Sequence, residues 1–190
     1  MTEMAPLTNV PLPVRLRVED YMLLDEVGAF EGYGKTELLD GEVVYMNSQH
    51  RPHARTKSRL HLAIAVALAQ RTDGLEAVVE AGIAIPPHNV PEPDIVVTSA
   101  ADGSGLIPAP SVRLIVEVAD TTLQSDLTRK AVIYARNGVP EYWVADVGGC
   151  LIHQMWIPSS DGYAERRTVP FGEPVTAETL SGLCVETDRL

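Results

Sequence analysis

The sequence contains few cysteines and no long apolar run, and these shortages exclude several classes of protein. Two cysteines in 190 residues, Cys150 and Cys184, are too few for a disulfide-rich scaffold. No apolar run approaches the ~20 residues that cross a bilayer. The first residues also lack the basic start and apolar stretch of a signal peptide. We therefore expect a cytoplasmic protein with no membrane partner.

Positive charge is also scarce, because 15 Lys and Arg residues stand against 26 Asp and Glu, for a formal net charge of −11. This balance argues against a nucleic-acid partner, since surfaces that bind phosphates are usually basic. The positive charge is, however, concentrated. Residues 48–75 carry five basic residues and one acidic residue, and residues 123–137 carry three and one. The average charge therefore hides two basic segments, both with helical patterns.

The remaining composition is that of a globular protein, with 45% apolar and 22% charged residues. We expect a flexible proline-rich arm over residues 1–13 and a single domain over residues 14–190, a length that one core can serve.

Hydrophobic periodicity and turn residues predict an alternation of helices and strands. Asp40-Gly41 between apolar pairs predicts a tight hairpin over residues 38–44. The predicted helices span residues 18–27, 53–70 and 125–137, and the predicted strands span residues 77–85, 94–98, 112–118, 141–147 and 151–157, with a last pair of short strands at 162–169 and 183–186. This order predicts an α/β (α+β mixed) fold, in which helices flank a central mixed β-sheet and an N-terminal helix and hairpin precede it.

Two carboxylates are predicted to meet on one face of this sheet. If residues 94–98 and 112–118 pair antiparallel around a loop centred near residue 105, the numbers of opposed residues add up to about 211. Asp94 then lies opposite Glu117, and opposed side chains point to the same face. Such a pair could share a proton or hold a divalent metal. The alternative is that Glu117 ends a strand at the surface and Asp94 starts one in a proline-flanked turn.

Further candidates come from the helices and the first hairpin. Lys130 shares a helix face with Asp126 and Tyr134, so a returning helix could bring its ammonium to the two acids, although an Asp126–Lys130 surface pair explains it too. Glu37 could supply a third acid or be a solvated strand-end residue. His53, Arg55 and Lys57 open a helix, where they could bind phosphate or form a solvated basic face. The same residues are thus open to functional and structural explanations.

In their order along the chain, these residues resemble the Uma-type restriction endonuclease family of the PD-(D/E)XK nuclease superfamily. The resemblance covers roughly residues 17–170. It is carried by Glu37 through Glu42, His53 opening a helix, Pro93 through Val97, Val116-Glu117-Val118, and Asp126, Lys130 and Tyr134 followed by Gly138 through Trp143.

The resemblance implies a restriction-endonuclease-like fold and a magnesium-dependent endonuclease that hydrolyses phosphodiester bonds of DNA, with manganese as a possible substitute. Asp94 and Glu117 would hold the metal. Ala119 stands where the superfamily has its lysine, so Lys130 would supply that charge from the helix. Glu37 would complete the catalytic set of Asp94, Glu117, Lys130 and Glu37. His53, Arg55, Lys57 and Arg129 would contact substrate phosphates.

Two other functions stay open, namely a catalytically silent binding or assembly domain on the nuclease fold, and a metal-dependent hydrolase of small phosphorylated molecules. The acidic exterior fits the second more easily than it fits duplex DNA. Because duplex cleavage requires two cuts, a homodimer is plausible. Tyr142, Trp143 and Trp156 could form its interface, although buried aromatic residues are equally well explained as core.

Overall fold

Short helices and strands alternate along the chain, as the computed structural model of residues 10–46 and 48–190 shows. Most of the predicted arm over residues 1–13 lies outside the described residues. The described helices are α1 (Val18–Glu26), α2 (Arg51–Leu68), α3 (Leu123–Ser125) and α4 (Ala131–Arg136). The described strands are β1 (Lys35–Leu39), β2 (Glu42–Met46), β3 (Glu76–Val79), β4 (Ile83–Ala84), β5 (Ile95–Thr98), β6 (Ile107–Pro108), β7 (Val112–Ala119), β8 (Glu141–Asp146), β9 (Leu151–Ser159), β10 (Gly162–Pro170), β11 (Val175–Thr176) and β12 (Cys184–Val185).

Six of these strands form one mixed sheet in the order β10-β9-β8-β7-β5-β3. β7 and β8 run parallel, whereas the other neighbouring pairs of this sheet are antiparallel. A parallel pair needs a crossover connection. Residues 120–140 provide it, and they contain α3, a π-helical turn at Asp126–Lys130, and α4. We refer to residues 123–136 as the bulged helix.

The sheet is covered on both faces, which confirms the predicted fold class. Ile64 of α2 belongs to the apolar cluster on one face, and Ile133 of the bulged helix belongs to the cluster on the other. Neighbouring residues of β5 divide between the two clusters, Val97 to the first and Val96 to the second. This division follows from the alternation of side chains along a strand.

The predicted register of β5 and β7 is confirmed. The numbers of the three successive opposed pairs add up to 211, and these pairs are Ile95–Val116, Val96–Ile115 and Val97–Leu114. The register shifts between Val97 and Thr98, at the end of β5 away from Asp94. Asp94 directly precedes β5, so the same register carries it to the position opposite Glu117.

The predicted N-terminal hairpin is also present, formed by β1 and β2. Asp40 and Gly41 have φ angles of 52° and 78°, the positive values that a tight type I′ turn requires. Gly41 is closely approached as well, because an added Cβ would lie 2.6 Å from the Cβ of Arg15. The turn therefore depends on glycine for both its conformation and its packing.

One predicted strand is interrupted, and the last two predicted strands are present as β10 and β12 but do not form a pair. The predicted strand over residues 77–85 is interrupted at Glu80, whose φ of 51° turns the chain, and the part that follows forms β4, which pairs in parallel with β6. The segments 162–169 and 183–186 do not pair with each other. β10 pairs with β9 across a short turn, and β12 pairs with β11. In the last case, a local hairpin replaces the longer-range pairing.

The predicted dimer interface is wrong for two of its three aromatic residues. Tyr142 and Trp143 are fully buried in the core of this chain. Trp156 is half-buried, and the guanidinium of Arg167 lies over its ring at 5.6 Å. In the part of the chain that the structure describes, no helix combines the length and the apolar character of a membrane span.

Candidate active site

Four predicted side chains converge in the interior, where we refer to Glu37, Asp94, Glu117 and Lys130 as the acidic site. Each is at most 5% exposed. β1, the start of β5, β7 and the π-helical turn each contribute one of them. The alternatives that made them solvated strand-end or surface residues are therefore wrong.

Lys130 bridges two of the acids. Its Nζ donates to Glu117 Oε1 at 2.9 Å and to Glu37 Oε1 at 3.0 Å. The predicted alternative of an exposed Asp126–Lys130 pair is wrong, since both residues are buried and Asp126 accepts a hydrogen bond from the hydroxyl of Thr122 at 2.6 Å. A π-helical turn inserts one residue into the helical repeat and changes the direction of the side chains that it carries. Here both Asp126 and Lys130 belong to that turn.

Burial disfavours the charged forms of both Glu117 and Lys130, and the charge of each residue favours the charged form of the other. Burial raises the pKa of Glu117, and the carboxylates of Asp126, Asp94 and Glu37 add to that rise, against the opposing charge of Lys130. Burial alone would lower the pKa of Lys130, but the charges of Glu117, Glu37 and Asp126 raise it above its ordinary value. Lys130 is therefore held as a positive charge, whereas Glu117 takes up a proton more readily than an ordinary glutamate does.

Asp94 has the opposite character. Its Oδ2 accepts the backbone N–H of Val118 at 2.8 Å and lies 3.2 Å from His53 Nε2. Its Oδ1 accepts the amide of Gln49 at 3.1 Å and lies 3.5 Å from Lys57 Nζ. Burial alone would raise the pKa of Asp94, but the hydrogen bond and charge of His53, together with Val118 and Lys57, lower it to about 2. Asp94 is thus ionised throughout the physiological range.

The acids are also held in place by the side chains of Tyr134 and Gln49 and by the backbone N–H of Glu92. Tyr134 donates its hydroxyl to Glu117 Oε1 at 3.0 Å, and the N–H of Glu92 donates to Glu37 Oε1 at 2.7 Å. Gln49 bridges the site through Asp94 and through Lys57 Nζ, which donates to Gln49 Oε1 at 2.7 Å. The spacing of four residues from Lys130 was a signal for Tyr134. Gln49 carries no signal in the sequence.

The four predicted phosphate contacts are placed differently from one another. Three of them already face acids: His53 lies against Asp94, Lys57 donates to Glu80 at 2.6 Å, and Arg129 donates to Glu42 at 2.8 Å. Arg55 is exposed and has no acidic partner among the described residues. The phosphate role of all four stays a prediction.

The donor set fits a magnesium ion held by two carboxylates. Within the described residues, no group of three or more His, Cys, Asp and Glu side chains is arranged to hold a metal. Magnesium is commonly bound by only one or two carboxylates, with water and substrate phosphate oxygens as the other ligands. Both hydrogen bonds to Glu117 reach Oε1, and the partners of Asp94 Oδ1 are two long, polar side chains. Glu117 Oε2 and Asp94 Oδ1 are therefore the oxygens that could take a cation.

One family model and a solved structure are similar to this chain. The family model of Uma2, described as "Putative restriction endonuclease", matches residues 18–188. A crystal structure of "a putative nuclease belonging to DUF820" from Anabaena variabilis is similar at a TM-score of 0.66, with 15% sequence identity over 88% of this chain and 91% of that chain. At this identity the similarity concerns the fold. No curated protein matches the chain.

Proposed function

The chain belongs to the Uma2 family, and from this premise we propose that it is a metal-dependent endonuclease that hydrolyses phosphodiester bonds of DNA at the acidic site. One observation carries the proposal. The register of β5 and β7 sets Asp94 opposite Glu117, and Lys130 lies against Glu117 at 2.9 Å. Two acids that could hold a metal ion, with a lysine that could offset negative charge, suit metal-assisted phosphodiester hydrolysis.

Magnesium, or manganese in its place, would be held by Asp94 and Glu117. Such an ion supplies Lewis-acid polarisation of the phosphate and a more acidic water. Asp94 is suited to this role because it stays ionised, and Val118 fixes its other oxygen. Glu117 must lose any proton that it carries before it can bind a cation, so we expect the affinity for the metal to rise with pH.

Lys130 would stabilise negative charge that develops on the phosphate. Its raised pKa favours the protonated form, which suits it to offset negative charge better than to take a proton from water. The bridge to Glu37 and Glu117 holds its ammonium in place before the substrate arrives. Glu37 thus acts as a positioning residue, because it reaches the reaction through Lys130.

Lys57 is the basic side chain of this region that a substrate could recruit. Its ammonium is shared among Gln49, Glu80 and Asp94, and the side chain is 14% exposed. If Asp94 shared its charge with a metal ion, it would hold the ammonium of Lys57 less strongly. Lys57 would then be available to a non-bridging oxygen of the phosphate.

Metal binding and cleavage test the proposal together. We expect D94N and E117Q to weaken the binding of Mg²⁺, measured by calorimetry, by about tenfold or more, and to abolish Mg²⁺-dependent cleavage of plasmid and oligonucleotide DNA. D161N is the matched control, because Asp161 lies in the exposed turn between β9 and β10. Circular dichroism would verify that all three variants are folded. Mg²⁺-dependent cleavage that survives in both site variants would contradict the assignment.

The same proteins separate the two other functions predicted from the sequence. A catalytically silent domain would cleave no DNA at any metal concentration. A hydrolase of small phosphorylated molecules would turn over small phosphoesters in a D94N-sensitive manner and leave polynucleotides intact. The homodimer stays a prediction, and its interface has to lie outside Tyr142 and Trp143.

A further inference from the structure

Three arginines form a row along the outer face of α2. Arg51, Arg55 and Arg59 are four residues apart, so successive members lie about one helical turn, or ~6 Å, from each other. All three are exposed. We refer to them as the arginine row.

The row borders a groove of about 290 Å³ between α2 and the C-terminal residues. The groove is lined by the three arginines with Pro52, Thr56 and Leu190. Arg59 donates a hydrogen bond to the backbone carbonyl of Arg189, which ties this side of α2 to the C-terminal segment. The C-terminal residues therefore contact the face of α2 that carries the arginine row.

Arg51 and Arg55 differ from the other basic residues at this end of α2. His53 and Lys57 face inward and contact Asp94. Arg51 and Arg55 form neither ion pairs nor side-chain hydrogen bonds with the described residues. In a protein with a net charge of −11, a row of guanidinium groups without acidic partners is an anion-binding surface.

We propose that the arginine row binds backbone phosphates of a polynucleotide that flank the phosphate at the acidic site. This inference rests on the proposed nuclease function. Evenly spaced guanidinium groups suit a ligand with regularly repeated anions, and a polynucleotide is the ligand of that kind on which a nuclease acts.

Helical geometry specifies which phosphates the row can reach. At 100° per residue, Arg55 points about 160° away from His53, so the row and Asp94 lie on opposite sides of α2. They are separated by about one helix diameter, ~10 Å. The row therefore contacts phosphates some nucleotides away from the scissile bond, and it contributes affinity without touching the reacting atoms.

Binding in EDTA tests the inference separately from cleavage. We would measure the fluorescence anisotropy of labelled single-stranded DNA, duplex DNA and RNA with wild type, R55E and R51E/R55E, and R166E would be the matched control. Arg166 is exposed on β10, at the far edge of the sheet from β5. We expect R51E/R55E to weaken the binding of duplex at least about tenfold and to lower the slope of log K against log salt by about 2, from ~0.9 per phosphate contact. R55E should lower the slope by about half as much.

The control and the competitor decide the outcome. Equal weakening by R55E and R166E would overturn the inference, because it would show a general effect of charge. Competition by polyglutamate as effective as that by unlabelled DNA would also overturn it. If wild type binds with the expected salt slope but never cleaves, the row stands and the proposed activity fails. If D94N abolishes cleavage while R51E/R55E binds as R166E does, the row fails and the activity stands. R51A/R55A, which only removes charge, would repeat the measurement if the Glu variants were unfolded.

Discussion

Replacement of Lys130 by methionine is expected to destabilise the protein strongly. Met has nearly the shape of Lys without the charge, so K130M removes one partner from two buried ion pairs of 2.9 and 3.0 Å and leaves Glu117 and Glu37 facing each other. All three side chains are at most 6% exposed, so water screens the pairs little. Loss of one partner of a buried pair costs about 3–5 kcal/mol. In a chain of this length, that loss lowers Tm by about 6–20 °C.

The cost of K130M should depend on pH in a defined direction. Burial already raises the pKa of Glu117, and removal of the lysine raises it further. The folded state then binds more protons than the unfolded state above the ordinary pKa of a glutamate, so stability falls as pH rises through this range. Because the pKa of Glu117 is already raised to about 8 in wild type, the difference between wild type and K130M should be smaller at about pH 7 and larger at about pH 9.

Urea denaturation of wild type, K130M and R129M at both pH values measures this effect. Arg129 precedes Lys130 in the chain, but its pair with Glu42 is much more exposed, so R129M should cost about 1 kcal/mol. Adding E117Q to K130M should recover part of the loss, since it removes one of the unpaired acids. A K130M protein that is no less stable than R129M, or whose loss does not grow with pH, would refute the reasoning.

Two further predictions concern Asp94 and the buried Glu141. Because the pKa of Asp94 is lowered from 3.8 to about 2, its ionised form contributes stability above about pH 4 that is lost as pH falls toward 2, about 2 kcal/mol in all. Denaturant unfolding over this range should therefore show a smaller loss for D94N than for wild type, and equal losses would contradict the shift. Glu141 accepts four hydrogen bonds, one each from Trp143 and Gln154 and two from Thr179. E141Q should lower the free energy of unfolding by about 1.5–3 kcal/mol and leave the affinity for Mg²⁺ unchanged, whereas altered Mg²⁺ binding would link Glu141 to the acidic site.

The pairing of Asp94 with Glu117 could be predicted because it depends on a local quantity. Strands joined by one loop have a register set by the loop centre, and the irregularity between Val97 and Thr98 lies at the loop end, away from the acids. The split of the strand at Glu80 could not be predicted in this way, since a positive φ at a glutamate is rare and has no pattern in the sequence. The register around the loop thus predicted the position of the two acids, whereas the hydrophobic pattern of residues 77–85 gave no sign of the interruption at Glu80.

Contacts between distant segments could not be predicted from the sequence for a different reason. Lys130 and Glu37 are 93 residues apart, and their contact depends on how the first hairpin packs against the bulged helix. The same packing engages Arg129, which donates to the backbone carbonyl of Leu39 and to Glu42 and was expected to contact phosphate. Arg129 and Lys130 are adjacent in the chain but bind different acids, because tertiary packing determines their partners. Hydrophobic periodicity carries no information about such packing.

The displaced lysine follows from the packing of the sheet face that carries Glu117. Side chains two residues apart on a strand share a face, so a lysine at position 119 would point to the same side as Glu117. Ala119 is 1% exposed and belongs to the same apolar cluster as Ala131 of the bulged helix. The small side chain at 119 fits within this apolar cluster, whereas the long, charged side chain of a lysine would be costly to bury among apolar groups. The π-helical turn then brings Lys130 to Glu117 from that helix, so the ammonium reaches the site through the element that occupies the space beside Ala119.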